Sequence, residues 1–562
     1  MKIPAAENFI LETLESLELH TEHSDKAMSE ADHYLANPGH DDPTLDDLTA
    51  LPFVTIDNPD SRDLDQALYI EETTDGYRLR YALADAAYYV RPGSALFDEA
   101  LQRGATFYTP RLAVPMLPSS LSEGLVSLNP NVNRRALVFD IRLNHDASLQ
   151  QTRVVRALIC SQAKLSYGGV QDWLDTHCSF PQLDSERALM NCAQNRPDLS
   201  SQNETKTETE TDTMAADVPY RHSLKLLQVL GEKLISNSAQ RGVVPFDRSE
   251  TAISVDTTSD QFRAERRHRY MTEQYNEQIS LLCNMQGAEL LMALQGHSDA
   301  LQAVYRVHEA PLSKNSKRLR QTLDALIETR QLDDRWRWQE NSSLAQYVRN
   351  LPDDRASHRL KATIQRLIMQ SQRASVFQPE PDIHHALKAA AYARFSSPMR
   401  EIVGIFTHKE LLEALAMEPL EPSSNDEILR TQVISAANRA RQIQRQLDKR
   451  IEFAVIQSVF SSDLSTENKK TYSATIVGLR KDRLYAAIDG LALDVKVYKD
   501  DLEEQFSTHY EINRTQATPV NRENPSWLLG QGIGLSVRRY DPERKRFLFT
   551  ISAERHSSSS NG

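Results

Sequence analysis

The sequence predicts an α+β protein that ends in a small all-β domain, and three features of the chain lead to this prediction. Residues 52–83 contain short alternating strands around a polar loop. Apolar residues then recur at helical spacing in 270–295, 357–375 and 425–460. The last part of the chain, 468–555, contains five short alternating strands that are separated by turns. Strands mixed with helices, followed by strands alone, indicate two different units.

The boundaries follow from changes in composition. Residues 1–48 predict a short N-terminal helical segment, which ends in a polar stretch with two prolines. Residues 49–462 form the large mixed domain, and 468–556 form the all-β domain. Within the large domain, 195–219 is rich in Ser, Thr, Glu and Asn and has almost no large apolar residue. Because such a segment cannot bury enough surface to offset its ordering entropy, we predict a disordered insertion there.

Two elements near the start of the large domain have clear signals. Tyr77, Leu79, Tyr81 and Leu83 alternate with more polar or smaller residues, which predicts a half-buried strand. The next apolar periodicity, in ALFDEALQRGA, predicts a helix that ends at Gly104.

The five C-terminal strands are typical of an OB-fold barrel. The last hairpin carries a cluster of basic residues with aromatic residues between them. The basic residues are Arg538, Arg539, Arg544, Lys545 and Arg546, and the aromatic residues are Tyr540 and Phe547. This combination favours binding of single-stranded RNA, whereas the alternative is a solvated hairpin whose charges protect a sheet edge. The basic residues near 314–320 are expected to form a solvated helix face.

Charge and composition exclude several classes of protein. The chain has 65 Lys and Arg against 78 Asp and Glu, a net charge of −13, which argues against coating nucleic acid by bulk charge. A nucleic-acid enzyme with a local basic groove stays possible. No apolar run is long enough to span a bilayer. The four cysteines form no CxxC pair, which argues against a zinc site and indicates a reducing compartment. We therefore expect a cytoplasmic protein without a membrane contact.

The strongest chemical signal is the segment TIDNPDSRDLDQAL, residues 55–68. It places Asp57, Asp60, Asp63 and Asp65 directly after a predicted strand. Crowded carboxylates repel one another unless a cation neutralises them, and hard oxygen ligands select Mg²⁺ or Mn²⁺. Two such ions can catalyse hydrolysis of a phosphodiester. The simpler alternative is a solvated acidic turn; a calcium loop of the EF-hand type is excluded by the spacing of Gly and Glu.

This loop resembles the catalytic signature of the RNB family, the ribonuclease II and ribonuclease R type of exoribonuclease. The family pattern is approximately I-D-x-x-x-x-[RK]-D-x-D-D-A, and here it is Ile56-Asp57, then Arg62-Asp63-Leu64-Asp65-Gln66-Ala67. Further motifs resemble the family in the same order, namely ALADAAYYV around Asp85, RGATFYTPRLAVPMLP (103–118), LSEGLVSLNPNVNRRAL, AKLSYGGVQDWL (163–174), RGVVPFD (241–247), YNEQISLLCN (275–284), YRVHEAP (305–311) and FSSPMRE (395–401).

The resemblance implies a catalytic domain with a central RNA channel, followed by an S1-like OB-fold domain that binds RNA. It implies a magnesium-dependent, hydrolytic 3′→5′ exoribonuclease, with Mn²⁺ as an alternative ion. Such an enzyme degrades single-stranded RNA to nucleoside 5′-monophosphates. We also expect a monomer.

The same resemblance implies roles for individual residues. Asp57, Asp63, Asp65 and Gln66 take the positions of the metal ligands. Asp65 and Arg400 take catalytic positions, with Arg400 on the phosphate. Tyr108 and Phe246 match the aromatic residues that pack against bases. Tyr167 and Glu277 match the residues that bind the 3′-terminal nucleotide.

The sequence also departs from the family pattern. Gln66 stands where the family has an Asp, so the site loses one negative charge and we expect a second ion to bind more weakly. After Arg400, the family's Arg-Tyr-x-Asp is Glu-Ile-Val-Gly, and Gly-His-Phe-Gly-Leu is Ile-His-His-Ala-Leu at 383–387. About 50 residues precede the catalytic region, too few for the family's two N-terminal cold-shock domains.

These departures leave two other functions open. The first is a catalytically weakened member of the family that binds RNA, motivated by Gln66 and the altered segment after Arg400. The second is a metal-dependent phosphatase or a nuclease with another substrate, which the acidic loop alone would permit. Equal activity on DNA and RNA oligomers would favour the second.

Overall fold

The structure is a computed structural model, and it describes residues 6–177, 218–246, 250–295, 301–418, 423–464, 469–491 and 493–554. The predicted insertion at 195–219 lies outside these ranges except for its last two residues. Among the helices of the described ranges, none is both long and apolar enough to cross a lipid bilayer.

The helices and strands agree with the predicted α+β pattern. The described helices are α1 (Ala6–Ser16), α2 (Asp25–Ala36), α3 (Ala86–Tyr89), α4 (Ala95–Arg103), α5 (Tyr167–His177), α6 (Arg221–Gln240), α7 (Met271–Gln295), α8 (Ser313–Arg330), α9 (Leu344–Asn350), α10 (His358–Ser371), α11 (Ile402–Ala414), α12 (Ser423–Leu464) and α13 (Lys499–Phe506). The strands of the first half are β1 (Asp46–Asp47), β2 (Phe53–Asp57), β3 (Gln66–Thr73), β4 (Gly76–Ala84), β5 (Phe107–Tyr108), β6 (Ala113–Val114), β7 (Asn133–Asn144) and β8 (Leu149–Ser166). Those of the second half are β9 (Glu250–Asp256), β10 (Gln261–Arg267), β11 (Tyr305–Val307), β12 (Val376–Gln378), β13 (Tyr472–Arg480), β14 (Arg483–Ile488), β15 (Leu493–Tyr498), β16 (Tyr510–Ile512), β17 (Gln516–Pro519), β18 (Trp527–Leu528), β19 (Gly532–Asp541) and β20 (Arg546–Ala553).

The large domain is built on a six-stranded sheet with the order β1-β8-β2-β3-β4-β7. The long strand β8 also pairs with β7, so the sheet closes on itself. β8 pairs antiparallel with β7 in its first part and parallel with β2 in its last part, up to the pair Asp57 and Ser166. Because β2 and β8 are parallel, the acidic loop after β2 and Tyr167 after β8 leave the sheet at the same edge.

Helices cover both faces of this sheet. One buried cluster joins the sheet to α5, α6 and α7, and another joins its opposite face to α2, α4, α11 and part of α12. The strand β4 therefore corrects the prediction of a half-buried strand. Leu79, Tyr81 and Leu83 lie in the first cluster, while Ala82 and Ala84 lie in the second, and all are fully buried. The alternation in the sequence indicated that the face with the larger side chains is buried. It did not indicate that helices also cover the face with the small side chains.

The N-terminal segment contains the two short helices that the sequence predicts, and it is attached to the large domain. α1 packs against α12, and the Ala6 amide donates to the Asp260 carbonyl at 3.0 Å. The fully buried guanidinium of Arg135, on β7, donates to Asp42 and also to the Gly39 carbonyl. Gly39 has a φ of +68° and lies against Tyr88, so a side chain at this position would be strained and would collide with the ring.

All five predicted strands of the C-terminal domain are present, in the sheet order β15-β14-β13-β19-β20. β13 to β15 form a meander, α13 follows, and β19 returns beside β13 before it forms a hairpin with β20. The edge strands β15 and β20 lie against each other, which closes the sheet in the manner of an OB-fold barrel. A small three-stranded sheet, β16-β17-β18, is an addition that the sequence did not predict.

The barrel packs directly on the large domain. Phe460, near the end of α12, is fully buried and contacts Phe549 with ring centroids 4.9 Å apart. Arg359 on α10 forms ion pairs with Asp489 and Glu554 of the barrel. The two domains share one hydrophobic cluster with α8, α9, α10 and α12.

Candidate active site

The acidic loop between β2 and β3 is held by side chains from neighbouring elements. Lys164, on β8, donates from Nζ to the carbonyls of Pro59 and Ser61, both at 2.6 Å. On the other side, the Ser127 hydroxyl accepts from the Leu64 amide at 3.0 Å and donates to the Arg62 carbonyl at 2.7 Å. The carboxylates therefore sit on a braced loop rather than on a free acidic turn.

Asp65 is the most buried carboxylate of the loop, with only 1% of its surface exposed. Its Oδ1 accepts from the Met399 amide at 2.9 Å, and its Oδ2 accepts from Arg400 Nε at 2.5 Å. Burial raises the pKa of Asp65 to about 6, although Arg400 opposes this shift, and repulsion from Asp63 contributes less than burial. Repulsion among the crowded carboxylates is therefore a smaller cause of the raised pKa than burial.

Arg400 lies at the centre of the predicted site. Burial alone would lower its pKa, but the negative charges of Asp65, Asp63 and Asp57 raise it well above its usual range. Its Nε also lies 3.9 Å from Asp63 Oδ2. The side chain is about one third exposed, and its two terminal nitrogens have no hydrogen-bond partner within the described residues. These nitrogens can therefore contact an incoming phosphate.

Tyr108 lies beside the same carboxylates with an accessible ring. Its hydroxyl donates to Asp63 Oδ2 at 3.0 Å, and 45% of the residue is exposed. Gln444, on α12, fixes the backbone of Tyr108 from both sides, because it accepts from the amide at 3.2 Å and donates to the carbonyl at 3.3 Å. The ring is available for stacking against a base.

Tyr167 lies next to the acidic loop, as the parallel pairing of β2 and β8 requires. Its hydroxyl accepts from Asn276 Nδ2 at 3.2 Å. Burial raises the pKa of Tyr167 to about 12, and the negative charge of Asp57 adds to the shift. The sequence motifs singled out Glu277 but not its neighbour Asn276, which makes the observed contact from α7.

Gln66 differs in its surroundings from the three aspartates. It is the first residue of β3, and its Oε1 accepts a short hydrogen bond from the hydroxyl of the fully buried Tyr81. The only atom of Gln66 that could bind a cation therefore already has a protein partner.

Glu277 and Phe246 are predicted site residues for which contacts outside this group are observed. Glu277 accepts from Arg269 Nη1 at 3.1 Å, so its carboxylate is paired with a cation of the segment after β10. Phe246 is half-buried and packs against the cluster that also contains Phe107 and Phe262. Its observed role is packing against this cluster.

The donor set fits a divalent cation. The carboxylates of Asp65 and Asp63 lie 2.5 Å and 3.9 Å from Arg400 Nε, and the negative charge of Asp57 also acts on this guanidinium. The group therefore has an excess of negative charge and offers oxygen ligands. A second acidic group, formed by Glu410, Glu413 and Asp426, has ligand atoms within 4.8 Å of one another. Lys409 Nζ lies within 3.0 Å of all three, so an ammonium already neutralises that group.

A basic groove lies between the barrel and α8, α10 and α12. Its volume is about 960 Å³, and nine of its lining residues are Lys or Arg whereas two are acidic. The basic residues are Arg318, Arg366, Lys449, Arg480, Lys496, Arg514, Arg544, Lys545 and Arg546. A chain of net negative charge thus concentrates cations at one surface, as a nucleic-acid enzyme requires.

The groove bears on two predictions. Arg318, which was expected on a solvated helix face, is exposed and also lines the groove. On the last hairpin, Phe547 is buried with 4% exposure and packs in the core, so it is not an exposed stacking residue. Arg546 pairs with Asp501 at 2.8 Å and stacks on Tyr498 at 3.7 Å.

The residues that brace the loop were missed by sequence reasoning. Lys164 lies inside the quoted motif AKLSYGGVQDWL, but its role depends on the pairing of β8 with β2. Arg267 also contacts the loop, through Asn58 Oδ1 at 3.3 Å, from the end of β10.

Comparison with known proteins supports the resemblance. The chain is 29% identical over 381 residues to ribonuclease R of Vibrio cholerae serotype O1, an alignment that covers 66% of this chain and 40% of that protein. The chain thus spans less than half the length of that relative. The fold is similar to Mycoplasma genitalium RNase R in complex with ribose methylated single-stranded RNA, with a TM-score of 0.79, 20% identity, and coverage of 98% of this chain and 78% of that chain.

It is also similar to yeast Ssd1, described as a pseudonuclease, with a TM-score of 0.60, 15% identity, and coverage of 96% of this chain and 59% of that chain. A family model described as the RNB domain matches residues 45–417, which is more than half of the chain. Together with the aspartates around Arg400, this match establishes that the chain belongs to the RNB domain family.

Proposed function

We propose that this protein is a hydrolytic 3′→5′ exoribonuclease that degrades single-stranded RNA to nucleoside 5′-monophosphates with Mg²⁺, or Mn²⁺ in its place. The observation that carries the proposal is the arrangement of Asp57, Asp63 and Asp65 around Arg400, with Tyr108 at the same carboxylates. Its relatives include proteins named ribonuclease R, and the basic groove fits an RNA substrate.

In the proposed reaction, the oxygen of a water molecule bonds to the phosphorus of the terminal phosphodiester. The bond from phosphorus to the 3′ oxygen of the preceding nucleotide breaks, and one proton of the water ends on that oxygen. A bound divalent cation would be held by Asp57, Asp63 and Asp65, and it would lower the pKa of water and neutralise phosphate charge.

The protein side chains supply the remaining contacts. Arg400 would donate from its terminal nitrogens to the phosphate oxygens, where negative charge increases in the transition state. Asp65 holds Arg400 Nε, so the guanidinium is oriented before the substrate binds. Tyr108 would stack on a base, and Tyr167 would bind the terminal nucleotide on the side of Asp57.

The basic groove would bind the part of the RNA that has not yet entered the site. One helix, α12, connects the two places, because Gln444 holds Tyr108 and Phe453 lines the groove nine positions further along. At 1.5 Å per residue this separation is about 13 Å, a distance that a few nucleotides of an extended strand can span.

The deciding experiment is incubation of the purified protein with 5′-labelled oligo(A) and Mg²⁺, with the products sized on a gel. We expect a ladder that shortens from the 3′ end and the release of AMP. A DNA oligomer of the same sequence serves as the control and should persist. Internal cleavage, or equal degradation of DNA, would contradict the proposal.

A second function is favoured by one observation. The amide oxygen of Gln66, at a family metal-ligand position, is occupied by Tyr81. A protein that binds oligo(A) but releases no nucleotide at any Mg²⁺ or Mn²⁺ concentration would be a catalytically weakened RNA-binding member of the family. The same gel, together with a binding assay, separates the two functions.

A further inference from the structure

We infer that Gln66 is a hydrogen-bond donor to an oxygen atom of the terminal nucleotide of the RNA, and not a metal ligand. This inference rests on the proposed function, because it assigns a substrate contact within the same site. It replaces the expectation from the family pattern, in which the side chain at this position coordinates an ion.

The hydrogen bond between Tyr81 and Gln66 runs from the hydroxyl to the amide oxygen. Burial raises the pKa of Tyr81, and Ser280 lowers it, as a side chain that donates to the hydroxyl oxygen does. The hydrogen of this hydroxyl must then be donated to another atom, and Gln66 Oε1 is the acceptor that the structure places there. Because Tyr81 is fully buried, leaving that hydrogen without an acceptor would be costly, so the amide orientation is fixed.

The nitrogen of the Gln66 amide carries the hydrogen-bond donors of this side chain. With Oε1 held by Tyr81, the Nε2 group with its two hydrogens points away from this contact. In the part of the chain that the structure describes, Nε2 has no hydrogen-bond acceptor, and the side chain is only half-buried. Gln66 therefore turns its oxygen toward Tyr81 and its two N–H donors away from it, where they can meet a molecule that enters the site.

Gln66 and Asp65 lie on opposite faces of the sheet. Strand alternation puts Gln66 with Leu68, on the face that packs against α7, whereas Asp65 contacts Met399 and Arg400 on the opposite face. Tyr167 is on the same side, because its hydroxyl accepts from Asn276 of α7. Burial is the main cause that raises the pKa of Tyr81, and an electrostatic interaction with Tyr167 adds to it. Gln66 thus belongs to the group formed with Tyr167, the side proposed to bind the terminal nucleotide.

The chemical class of the acceptor follows from these positions. An amide N–H donates well to a phosphate oxygen or to a ribose hydroxyl, and the terminal nucleotide offers both. A carboxylate at this position would instead repel the phosphate unless a cation lay between them. The replacement of Asp by Gln would thus exchange one metal ligand for one direct contact to RNA.

The test measures binding and does not depend on hydrolysis. RNA affinity is measured for oligo(A) in the presence of EDTA, and Mn²⁺ affinity is measured without RNA by electron paramagnetic resonance of the free ion. Gln66→Met keeps the length of the side chain and removes both donor and acceptor. Gln150→Met is the matched control, because Gln150 is an exposed glutamine at the turn between β7 and β8.

We expect Gln66→Met to weaken RNA binding about tenfold, the loss typical of a hydrogen bond to a charged group, and to leave Mn²⁺ affinity within about twofold. The control should change neither. If the loss persists with a 3′-terminal 2′-deoxynucleotide, the acceptor is a phosphate oxygen; if it disappears, the acceptor is the ribose hydroxyl. Both results support the inference.

Weaker Mn²⁺ binding with unchanged RNA affinity would overturn the inference and make Gln66 a metal ligand. Unchanged values for both would overturn it as well. Tyr81→Phe provides a second variant, which releases the amide and should weaken RNA binding in the same direction, with a smaller effect. If the unaltered protein binds RNA but does not hydrolyse it, the proposed enzyme function fails while the inference about Gln66 can still hold.

Discussion

At the scale of single residues, the site depends on the balance between burial and charge at Asp65. A buried carboxylate would lose its proton only at high pH, but Arg400 Nε at 2.5 Å and the Met399 amide stabilise the charged form. The pKa of about 6 is the result of these opposing effects. Asp65 is therefore charged at neutral pH and able to bind a cation.

Replacing Asp65 by Asn should remove hydrolysis while RNA is still bound. The amide keeps the shape of the side chain but removes a negative charge from the cation and from Arg400. We expect the rate of AMP release to fall by about 10³-fold or more, and oligo(A) affinity to stay within a few-fold. Single-turnover rates and a binding titration measure the two quantities. Full activity in this variant would contradict the assignment of the metal site.

Metal binding should weaken as the pH is lowered through the pKa of Asp65. A cation binds the deprotonated carboxylate, and because the pKa of Asp65 in the folded protein is about 6, the proton competes below that pH. Mn²⁺ affinity should be nearly constant above pH 7 and fall about tenfold per pH unit below the pKa.

A titration of Mn²⁺ binding between pH 5 and pH 8 measures this dependence, with Asp65→Asn as the control that should lose the step. The charged groups around Asp65 are Arg400, Asp63 and Asp57, of which Arg400 keeps its charge throughout this range. A pH-independent affinity in the unaltered protein would contradict the role of Asp65 as a ligand.

At the scale of elements, the acidic loop has a defined geometry because its neighbours brace it. Lys164 of β8 and Ser127 hold backbone atoms of the loop, while Gln444 of α12 holds Tyr108 against Asp63. Groups that orient metal ligands from outside contribute strongly to metal affinity in other proteins. The loop geometry is thus set by a strand, a helix and the segment before β7, which are distant from one another in the sequence.

Lys164→Met should loosen the loop without unfolding the protein. The variant loses two charge-assisted hydrogen bonds to the Pro59 and Ser61 carbonyls, so we expect Mn²⁺ affinity to fall about tenfold. Lys26→Met, an exposed lysine on α2, is the control and should not change it. Thermal unfolding of both variants checks the fold, and equal Mn²⁺ affinities would show that the brace is dispensable.

At the scale of the whole molecule, the distribution of charge is more informative than its sum. The net charge of −13 coexists with a groove whose lining is mainly basic, between the barrel and the large domain. The barrel is fixed to the large domain through Phe460 and Arg359, so the groove has a defined width. RNA capture and hydrolysis would then occur on one rigid surface along α12.

Neutralising the groove should weaken the capture of long RNA and leave short substrates unaffected. Lys449, Lys496 and Lys545 are exposed and line the groove. Changing all three to Gln should reduce the slope of log affinity against log salt by about 2. A dinucleotide, which is shorter than the distance of about 13 Å to the groove, should be hydrolysed at an unchanged rate.

The control for this prediction changes three exposed lysines elsewhere, Lys26, Lys225 and Lys317, to Gln. Affinity for oligo(A) is measured over a series of salt concentrations. An unchanged slope in the groove variant, or an equal change in the control, would show that RNA takes another path.

Some features of this protein could be predicted from its sequence, and others could not. The acidic loop, the long helix and the five barrel strands were predictable, because turn residues, apolar periodicity and strand alternation are local signals. Tyr167 and Arg400 were found by resemblance alone. The partner of Gln66 was not predictable, since Tyr81 reaches it only through the register of β3 and β4. Phe547 was expected to contact RNA together with its basic neighbours, whereas barrel closure buries it.

By itself, the sequence determined which chemical groups this protein has: a loop with four aspartates, basic residues near the C-terminus and a mixed α+β pattern. Only the tertiary structure decided which of these groups meet. Asp57, Asp65 and Arg400 come together because parallel strands end at one edge and a segment more than 300 positions later returns to it. Such proximity depends on strand register and on burial, which are properties of the folded chain and have no local signal in the sequence.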